Sequence, residues 1–237
     1  MSNKAAGDPT ASVASVLAWL KRKGTAHNRA GMARYGLPST HTFGVSMATM
    51  QPEARRIGRN HKLALSLWKT GWYEARIMCA FIADPGALTP AQMESWCRDF
   101  DNWGTTDTIC FKLFDQSPHA WKKMAQWVKR REEFQKRAGF VMMACLAAHD
   151  KAAGNADNIK ALKVIEAGAS DNRNFVKKGV SWGLRHIGHR NAILHAAAIR
   201  TATKLSKSAD ATERWVGKDA LRDLLRPAVL KKVRVIG

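Results

Sequence analysis

The pattern that decides the fold is clearest in residues 174–189, NFVKKGVSWGLRHIGH. One side of a helix built from this segment is polar, basic and aromatic, at steps of four, four, three and four residues: Asn174, Lys178, Trp182, Arg185 and His189. The opposite side is apolar: Phe175, Val176, Val180 and Leu184. Because residues three and four apart share a helix face, the segment predicts an amphipathic helix with one core face and one candidate functional face.

The same spacing recurs along the chain, with two residues four apart on one helix face in each copy. The earlier copies are Trp72 with Arg76, Trp103 with Asp107, and Glu133 with Arg137. They recur about every 30 to 40 residues, a period typical of stacked helical hairpins. Since stacking places equivalent faces side by side, these residues are expected to line a concave surface. The sequence therefore predicts an all-α fold, an α-solenoid with a concave basic groove.

Helical periodicity dominates the rest of the chain, and no segment has convincing strand alternation. Helices are predicted at 11–23, 26–35, 46–59, 61–70, 72–83, 90–101, 103–115, 118–130, 132–149, 156–167, 171–187, 190–205 and 212–224. Short helices joined by short turns favour an α-solenoid over a four-helix bundle. The predicted organisation is a disordered segment over 1–10, a single repeat domain over 11–225 and a basic tail over 226–237.

The composition predicts a polyanionic partner. The 237 residues include 39 Lys and Arg against 19 Asp and Glu, a net charge of +20. Such an imbalance destabilises a compact fold through self-repulsion, so it usually serves a polyanion, with nucleic acid as the first candidate. A membrane is not predicted, because no apolar run approaches the ~20 residues of a span. The short apolar stretch 13–20 is followed by basic residues rather than preceded by them, unlike a signal peptide.

The cysteines and histidines predict no metal site. Four cysteines lie in apolar helical contexts and form no CxxC pair: Cys79, Cys97, Cys110 and Cys145. Buried free thiols are typical of a reducing compartment, so we expect a cytoplasmic protein. His186 and His189 are three apart, but no acid or cysteine completes a metal site around them. We therefore expect neither a metal nor another cofactor.

One acid interrupts the otherwise basic and aromatic row, and it is the candidate catalytic group. Asp107 shares a helix face with Trp103, while other residues of that helix supply the core stripe. The equivalent positions of the other copies hold cations and a second tryptophan: Arg76, Arg137, Lys178 and Trp182. A lone carboxylate in such surroundings suggests chemistry on a nucleic acid. The alternative stays open that Asp107 is a surface acid or an ion-pair partner of Arg137.

Several motifs in a fixed order resemble one family. They are Gly44-Val45, Glu74-Ala75-Arg76, Phe100-Asp101-Asn102-Trp103 with Asp107, Lys136-Arg137-Ala138-Gly139, Asn174-Phe175-Val176-Lys177-Lys178, and Trp182-Gly183-Leu184-Arg185. Each motif alone is weak, but their order and spacing over about residues 28 to 200 resemble the AlkD-type DNA alkylation repair glycosylases. The resemblance implies stacked HEAT-like repeats. It also implies hydrolysis of the N-glycosidic bond of cationic alkylated purines, such as 3-methyladenine and 7-methylguanine, in double-stranded DNA by a monomer.

The resemblance also implies roles for individual residues. The essential carboxylate of the family matches Asp107, its two lesion-side tryptophans match Trp103 and Trp182, and its groove arginine matches Arg137. Arg137 and Lys178 are expected to grip the phosphates that flank the lesion. Further phosphate-facing candidates come from the basic row and its flanks: Arg76, Arg130, Arg185 and His189. The chain departs from the family at Gly104-Thr105-Thr106, where relatives tend to have a more acidic or bulkier turn.

Two rival functions share much of this pattern. A non-catalytic HEAT-like module that binds damaged or branched DNA has much the same groove, and only the function of Asp107 separates it from a glycosylase. A protein-binding HEAT-like scaffold is predicted to bind its partner without salt dependence, whereas DNA binding weakens steeply as salt rises. The net charge of +20 argues against the scaffold.

Overall fold

The computed structural model describes residues 8, 10–37 and 40–236, and in this part of the chain it contains helices and no strand. The chain divides into two compact units, an N-terminal unit that ends at Pro118 and a C-terminal unit that begins at His119. The N-terminal unit contains α1 (Val13–Lys23), α2 (Ala26–Arg34), α3 (Met47–Ile57), α4 (His61–Trp68), α5 (Tyr73–Ile82), α6 (Pro90–Arg98) and α7 (Trp103–Lys112). The C-terminal unit contains α8 (Ala120–Trp127), α9 (Glu133–His149), α10 (Asn155–Gly168), α11 (Asn174–Gly188), α12 (Ala192–Ser206), α13 (Ala211–Leu224) and α14 (Pro227–Ile236).

The predicted all-α fold is confirmed, and each predicted helix has a counterpart in the structure. The helix predicted from residue 171 begins later, at Asn174. Its predicted first turn is held outside the helix because the Asp171 carboxylate binds Arg173 and Lys136. The segment predicted as a basic tail forms α14, whose Val229 and Val233 are buried. Of the segment 1–10, Asp8 and Thr10 are described, and the Asp8 carboxylate pairs with Arg56. The domain limits stay a prediction.

Within the N-terminal unit, the helices that carry the repeated rows pack directly on each other, α5 against α7. A buried aromatic stack stabilises this unit: the Trp68 and Trp96 rings are parallel, with centroids 4.1 Å apart. The Trp68 indole donates from Nε1 to Asp99 Oδ2 at 2.7 Å, so the ring is fixed in its plane as well as buried. The core of this unit thus sets the position of the chain just before α7.

A buried carboxylate organises the loop over residues 42–45. Glu74, on the first turn of α5, is completely buried. It accepts hydrogen bonds from the Thr42 hydroxyl at 2.7 Å and from the backbone N–H groups of Phe43, Gly44 and Val45 at 2.7–3.1 Å. Because three successive backbone N–H groups of this turn have the same carboxylate as their partner, the loop depends on one side chain of α5 for its shape.

In the C-terminal unit, α9 packs against both α8 and α11, and α11 packs against α13. A segment of α9 that begins with the small residues Ala138 and Gly139 lies close to the end of α8. A Cβ on Gly139 would lie 2.4 Å from the Val128 backbone nitrogen, so only glycine allows α8 and α9 to come this close. The concave groove predicted from the repeat stays a prediction.

Two further observations concern the cysteines and the apolar content of the helices. The four cysteines are free and buried, as the sequence predicts. Among the residues that the structure describes, none of the helices combines the length and apolar content needed to cross a bilayer.

Candidate functional site

The first two turns of α7 present the candidate acid together with Trp103. The Asn102 side chain caps this helix by accepting from Thr105 N at 2.9 Å, and the Thr106 hydroxyl donates to Asn102 O at 2.7 Å. The cap fixes the direction in which the helix starts. Asp107 and Trp103 are both half-buried and follow each other on one face, as the sequence predicts. The Trp103 indole donates from Nε1 to Tyr35 O at 2.9 Å, so its ring plane is set from outside α7.

Tyr73 lies beside this turn and explains the glycine at position 104. A Cβ on Gly104 would lie 2.6 Å from the Tyr73 hydroxyl oxygen and 2.7 Å from Leu37 Cδ2, closer than real side chains approach. Burial raises the pKa of the Tyr73 phenol, and the negative charges of Glu74 and Asp107 raise it further. Glycine at position 104 is therefore a packing requirement, because it lets a neutral phenol lie against the helix that carries Asp107.

Gly104→Ala is expected to lower the free energy of unfolding by about 1–3 kcal/mol, because the new methyl group displaces the Tyr73 hydroxyl and Leu37. Chemical denaturation measures this loss. The double variant with Tyr73→Phe should recover at least part of it, since the atom in closest conflict is then absent. If Gly104→Ala lowers the free energy of unfolding by the same amount in the parent protein and in the Tyr73→Phe variant, the hydroxyl is not what constrains position 104.

Arg76 is largely committed to its own unit. Its Nη1 donates to Asp99 O at 3.3 Å, its Nη2 lies 3.7 Å from Asp99 Oδ2, and its guanidinium carbon lies 5.0 Å from the centroid of Trp68. These contacts join the start of α5 to the segment that leads into α7. The role predicted for Arg76 on DNA stays a prediction, and its structural role is to connect two successive copies of the repeated row.

Arg137 has an equivalent structural role in the C-terminal unit. It is buried, with 6% of its surface exposed, and its Nη1 donates to Phe175 O at 2.6 Å. Glu133, its partner in the row, accepts from Phe175 N at 3.1 Å. The pair therefore binds both polar groups of one residue in the first turn of α11. The sequence predicts an exposed phosphate ligand here, and the burial arises because α9 and α11 approach closely.

The stripe predicted on α11 lies on one face of that helix. Lys178 is exposed, and Trp182 and Arg185 are half-buried. Arg185 Nε donates to Ser181 O at 3.3 Å. The edge of His186 meets the Trp182 ring, with centroids 5.7 Å apart and planes at 76°. Burial lowers the pKa of His186 to about 4, with help from the nearby charges of His189 and Arg185, so this ring is neutral at pH 7.

His189 closes the stripe at the end of α11, where its Nε2 lies 2.7 Å from Asp223 Oδ2. Burial lowers its pKa, although Asp223 acts in the opposite direction. Arg130 is half-buried between α8 and α9. Within the described residues, no group of three or more His, Cys, Asp or Glu side chains is arranged to hold a metal ion. The expectation that the protein needs no metal or other cofactor stays a prediction.

Three residues beside the candidate site are not predicted from the sequence to be part of it. Tyr35 and His186 contact the candidate tryptophans Trp103 and Trp182, and Tyr73 lies against Gly104 of α7, yet none of the three belongs to the repeated row. Tyr73 directly follows Trp72, which is a member of the row, and His186 lies four residues after Trp182. A search for aromatic residues next to the row would have found them.

Comparison with known proteins identifies the class. The family model of DNA alkylation repair enzymes matches residues 16–224, which is most of the chain. The chain belongs to the family of DNA alkylation repair enzymes.

A solved structure supports the same fold. It is described as a new family of proteins related to the HEAT-like repeat DNA glycosylases with affinity for branched DNA structures. The similarity has a TM-score of 0.76 at 20% sequence identity, and it covers 91% of this chain and 96% of the other. The HEAT-like repeat fold predicted from the sequence is therefore confirmed. The search of curated proteins found no match.

Proposed function

We propose that this chain is a monofunctional DNA glycosylase, which hydrolyses the N-glycosidic bond of cationic alkylated purines in double-stranded DNA. The substrates we propose are 3-methyladenine and 7-methylguanine. One observation carries the proposal: half-buried Asp107 shares a helix face with Trp103 near the capped start of α7, in a chain of net charge +20. We also propose that the protein acts as a monomer and without a metal.

The chemistry needs a carboxylate and little else. An alkylated purine is already cationic, so it leaves with the electron pair of the C1′–N bond and needs no general acid. The sugar develops oxocarbenium character, which the negative charge of Asp107 stabilises. A water then bonds to C1′ and gives its proton to the carboxylate or to solvent. The products are a neutral alkylated base and an abasic site.

The tryptophans supply apolar faces to the sugar. An indole face attracts positive charge, so a ring packed against the deoxyribose favours the charge that develops there. Trp103 suits this role because its hydrogen bond to Tyr35 O fixes the ring before DNA binds. Trp182 suits the same role because the His186 ring that contacts it is neutral at pH 7. A charged imidazole against the same ring would repel the cationic lesion.

The basic residues divide into two kinds of role. Lys178 is exposed, which suits direct contact with a phosphate, and Arg185, His189 and Arg130 are half-exposed on the same unit. Arg137 is buried and binds Phe175, so we propose that it acts as a positioning residue for α11. Arg76, bound to Asp99, has the matching role before α7. Phosphate contacts of this kind fix the protein on DNA without reading sequence.

Lys178→Ala is expected to weaken binding to a methylated duplex and to an undamaged duplex by the same factor. It should also make the slope of log affinity against log salt shallower by about 0.9, the value for one lost phosphate contact. Fluorescence anisotropy titrations at several salt concentrations measure both quantities.

The neighbouring residue provides a matched control. Lys177 carries the same charge, but its Nζ lies 5.1 Å from the centroid of the Trp215 ring, so it is engaged within the unit. Lys177→Ala should leave the salt slope unchanged. Equal slopes for the two variants would contradict a specific phosphate contact at Lys178.

The direct test is release of bases from duplex DNA methylated on purines. The protein is incubated with this DNA in the presence of a chelator, and free bases are measured by chromatography. Release of 3-methyladenine or 7-methylguanine supports the proposal. The absence of any released base, with tight and salt-sensitive DNA binding, would overturn the catalytic part of it. Sedimentation velocity tests the monomer.

A second candidate is a non-catalytic module for branched DNA. It is favoured by the structural similarity to a protein described as having affinity for branched DNA structures. The contacts of half-buried Arg76 with Asp99 and of buried Arg137 with Phe175 also suit a module that positions helices rather than one that performs chemistry. Competition between a four-way junction and a methylated duplex separates the two candidates. A preference for the junction without base release would favour the module.

A further inference from the structure

An apolar cleft of about 610 Å³ opens in the C-terminal unit, between α8 and α10. Its floor is Phe140 of α9, and its walls include Trp121 and Met124 of α8 and Ala161 and Val164 of α10. No residue of the proposed DNA-contacting stripe of α11 lines it. The cleft is therefore a separate feature of the molecule that the proposed glycosylase does not use.

Each wall has a helical spacing that suits another helix. Along α8 and its C-cap the apolar lining residues are Trp121, Met124, Ala125 and Val128, and Trp121, Met124 and Val128 are spaced at steps of three and four. On α10 the apolar lining residues are Ala161, Val164, Ala167 and Gly168, and Ala161, Val164 and Gly168 have the same steps of three and four. Two walls with this spacing and an apolar floor form the kind of groove that binds the apolar face of an amphipathic helix. An extended strand, whose side chains alternate, matches this spacing poorly.

The shape of the cleft is fixed by packing. A Cβ on Gly168 would lie 2.3 Å from Phe140 Cζ, so the glycine allows α10 to rest on the floor residue at one end. At the other wall, the Trp121 indole donates from Nε1 to Asp150 Oδ2 at 2.8 Å. The aromatic wall is thereby joined to the end of α9. A partner entering the cleft meets a preformed surface and loses less conformational entropy on binding.

The rim of the cleft is basic. Lys129, Lys160 and Lys163 are exposed at its edges, where Lys160 Nζ lies 4.0 Å from Asp157 Oδ1, and Lys136 pairs with Asp171 at 2.8 Å. Asp157 is the acid among the lining residues. An apolar floor bordered by exposed ammonium groups is complementary to a helix that has an apolar face and carboxylates on its flanks.

We infer that this cleft docks an acidic amphipathic helix of a partner protein. DNA is a poor occupant, because its phosphates would contact the lysines and leave the apolar floor unfilled. A second copy of this chain is also disfavoured, since each copy has a net charge of +20 and the rims would repel one another. The occupant instead presents two or three bulky apolar residues at steps of three and four, with Asp or Glu beside them.

The test uses a fluorescently labelled synthetic peptide of about four helical turns. Its apolar residues are Leu and Phe at steps of three and four, and its remaining positions are Glu, Gln and Ala. A scrambled peptide has the same composition with the apolar residues spread around the helix. Anisotropy titration with the full-length protein is expected to show at least about tenfold tighter binding of the patterned peptide.

Two variants locate the binding. Ala167→Trp fills the cleft from an exposed lining position without changing the charge, and Lys163→Glu reverses one rim charge. Each substitution is expected to lower the affinity for the patterned peptide by about tenfold, while the rate of base release from methylated DNA is unchanged. Lys218→Glu, the same charge reversal on an exposed position of α13, should leave peptide binding within about twofold of the parent protein.

Three outcomes would overturn the inference. The first is equal affinity for the patterned and scrambled peptides, and the second is an equal loss from Lys163→Glu and Lys218→Glu, since either means unspecific charge attraction. The third is a competition result. If an unmodified DNA duplex displaces the patterned peptide and a four-fold excess of unlabelled scrambled peptide does not, the cleft is part of the DNA-binding surface. These outcomes are independent of base release, so failure here and failure of the proposed glycosylase are distinguishable.

Discussion

Asp107→Asn is expected to lower the rate of base release by about a thousandfold or more, while the affinity for methylated duplex DNA stays equal or rises. The substitution keeps the size of the side chain and removes the negative charge that stabilises the oxocarbenium-like sugar. DNA affinity does not fall, because a charge that repels phosphate has gone. Single-turnover release of 3-methyladenine gives the rate, and anisotropy on the same DNA gives the affinity.

Asp101→Asn provides the matched control. Asp101 is an exposed acid six positions earlier, where its Oδ1 accepts from Asn102 Nδ2 at 2.7 Å. Its substitution removes the same charge from the same end of α7 and should leave base release within about threefold of the parent protein. Full activity in Asp107→Asn, or equal losses in the two variants, would exclude Asp107 as the group that acts on the sugar.

Glu74→Ala is expected to have the largest effect on stability, lowering the free energy of unfolding by about 3–5 kcal/mol. The carboxylate is completely buried and accepts from one hydroxyl and three successive backbone N–H groups. Alanine leaves these donors without a partner and opens a cavity beneath the loop. Urea denaturation followed by circular dichroism measures the loss.

Two comparison variants separate this effect from the simple loss of an acid. Glu74→Gln keeps one acceptor oxygen but turns an amide N–H₂ toward backbone donors, so a smaller loss of about 1–3 kcal/mol is expected. Glu166→Ala removes a partly exposed acid that pairs with Lys204 at 3.0 Å, and such a pair contributes about 1 kcal/mol or less. A loss from Glu74→Ala no larger than that from Glu166→Ala would show that the loop does not need the carboxylate.

The fold could be predicted from the sequence because its signal is local. Apolar residues at steps of three and four mark the helices, and the repeated row marks the ones that pack on each other, α5 with α7 and α9 with α11. The boundaries near Asp171 and the helix α14 depend on tertiary contacts. Ion pairing keeps the residues near Asp171 out of helix α11, and burial of Val229 and Val233 stabilises α14 as a helix. Neither effect has a signature in the local pattern.

The sequence predicted which candidate residues share a helix face but not the contacts that they make, and their role in a functional site stays a prediction. Position on a helix face was enough to single out Asp107 with Trp103, and the exposed Lys178 with Trp182. Spacing could not indicate that Arg137 and Glu133 bind the two sides of the Phe175 backbone. An arginine four residues from an acid has the same pattern in sequence whether it faces DNA or a neighbouring helix. Only the distance between α9 and α11 decides between these roles.

The contact between Gly104 and Tyr73 limits the order in which this turn can change during evolution. A larger side chain at 104 conflicts with the phenol, which lies 2.6 Å from where its Cβ would be. A smaller residue at 73 leaves a gap that a larger residue at 104 can fill. Replacement of the tyrosine is therefore expected to precede replacement of the glycine along any lineage. Among relatives, the two positions should covary as a pair, with bulk on one side or the other.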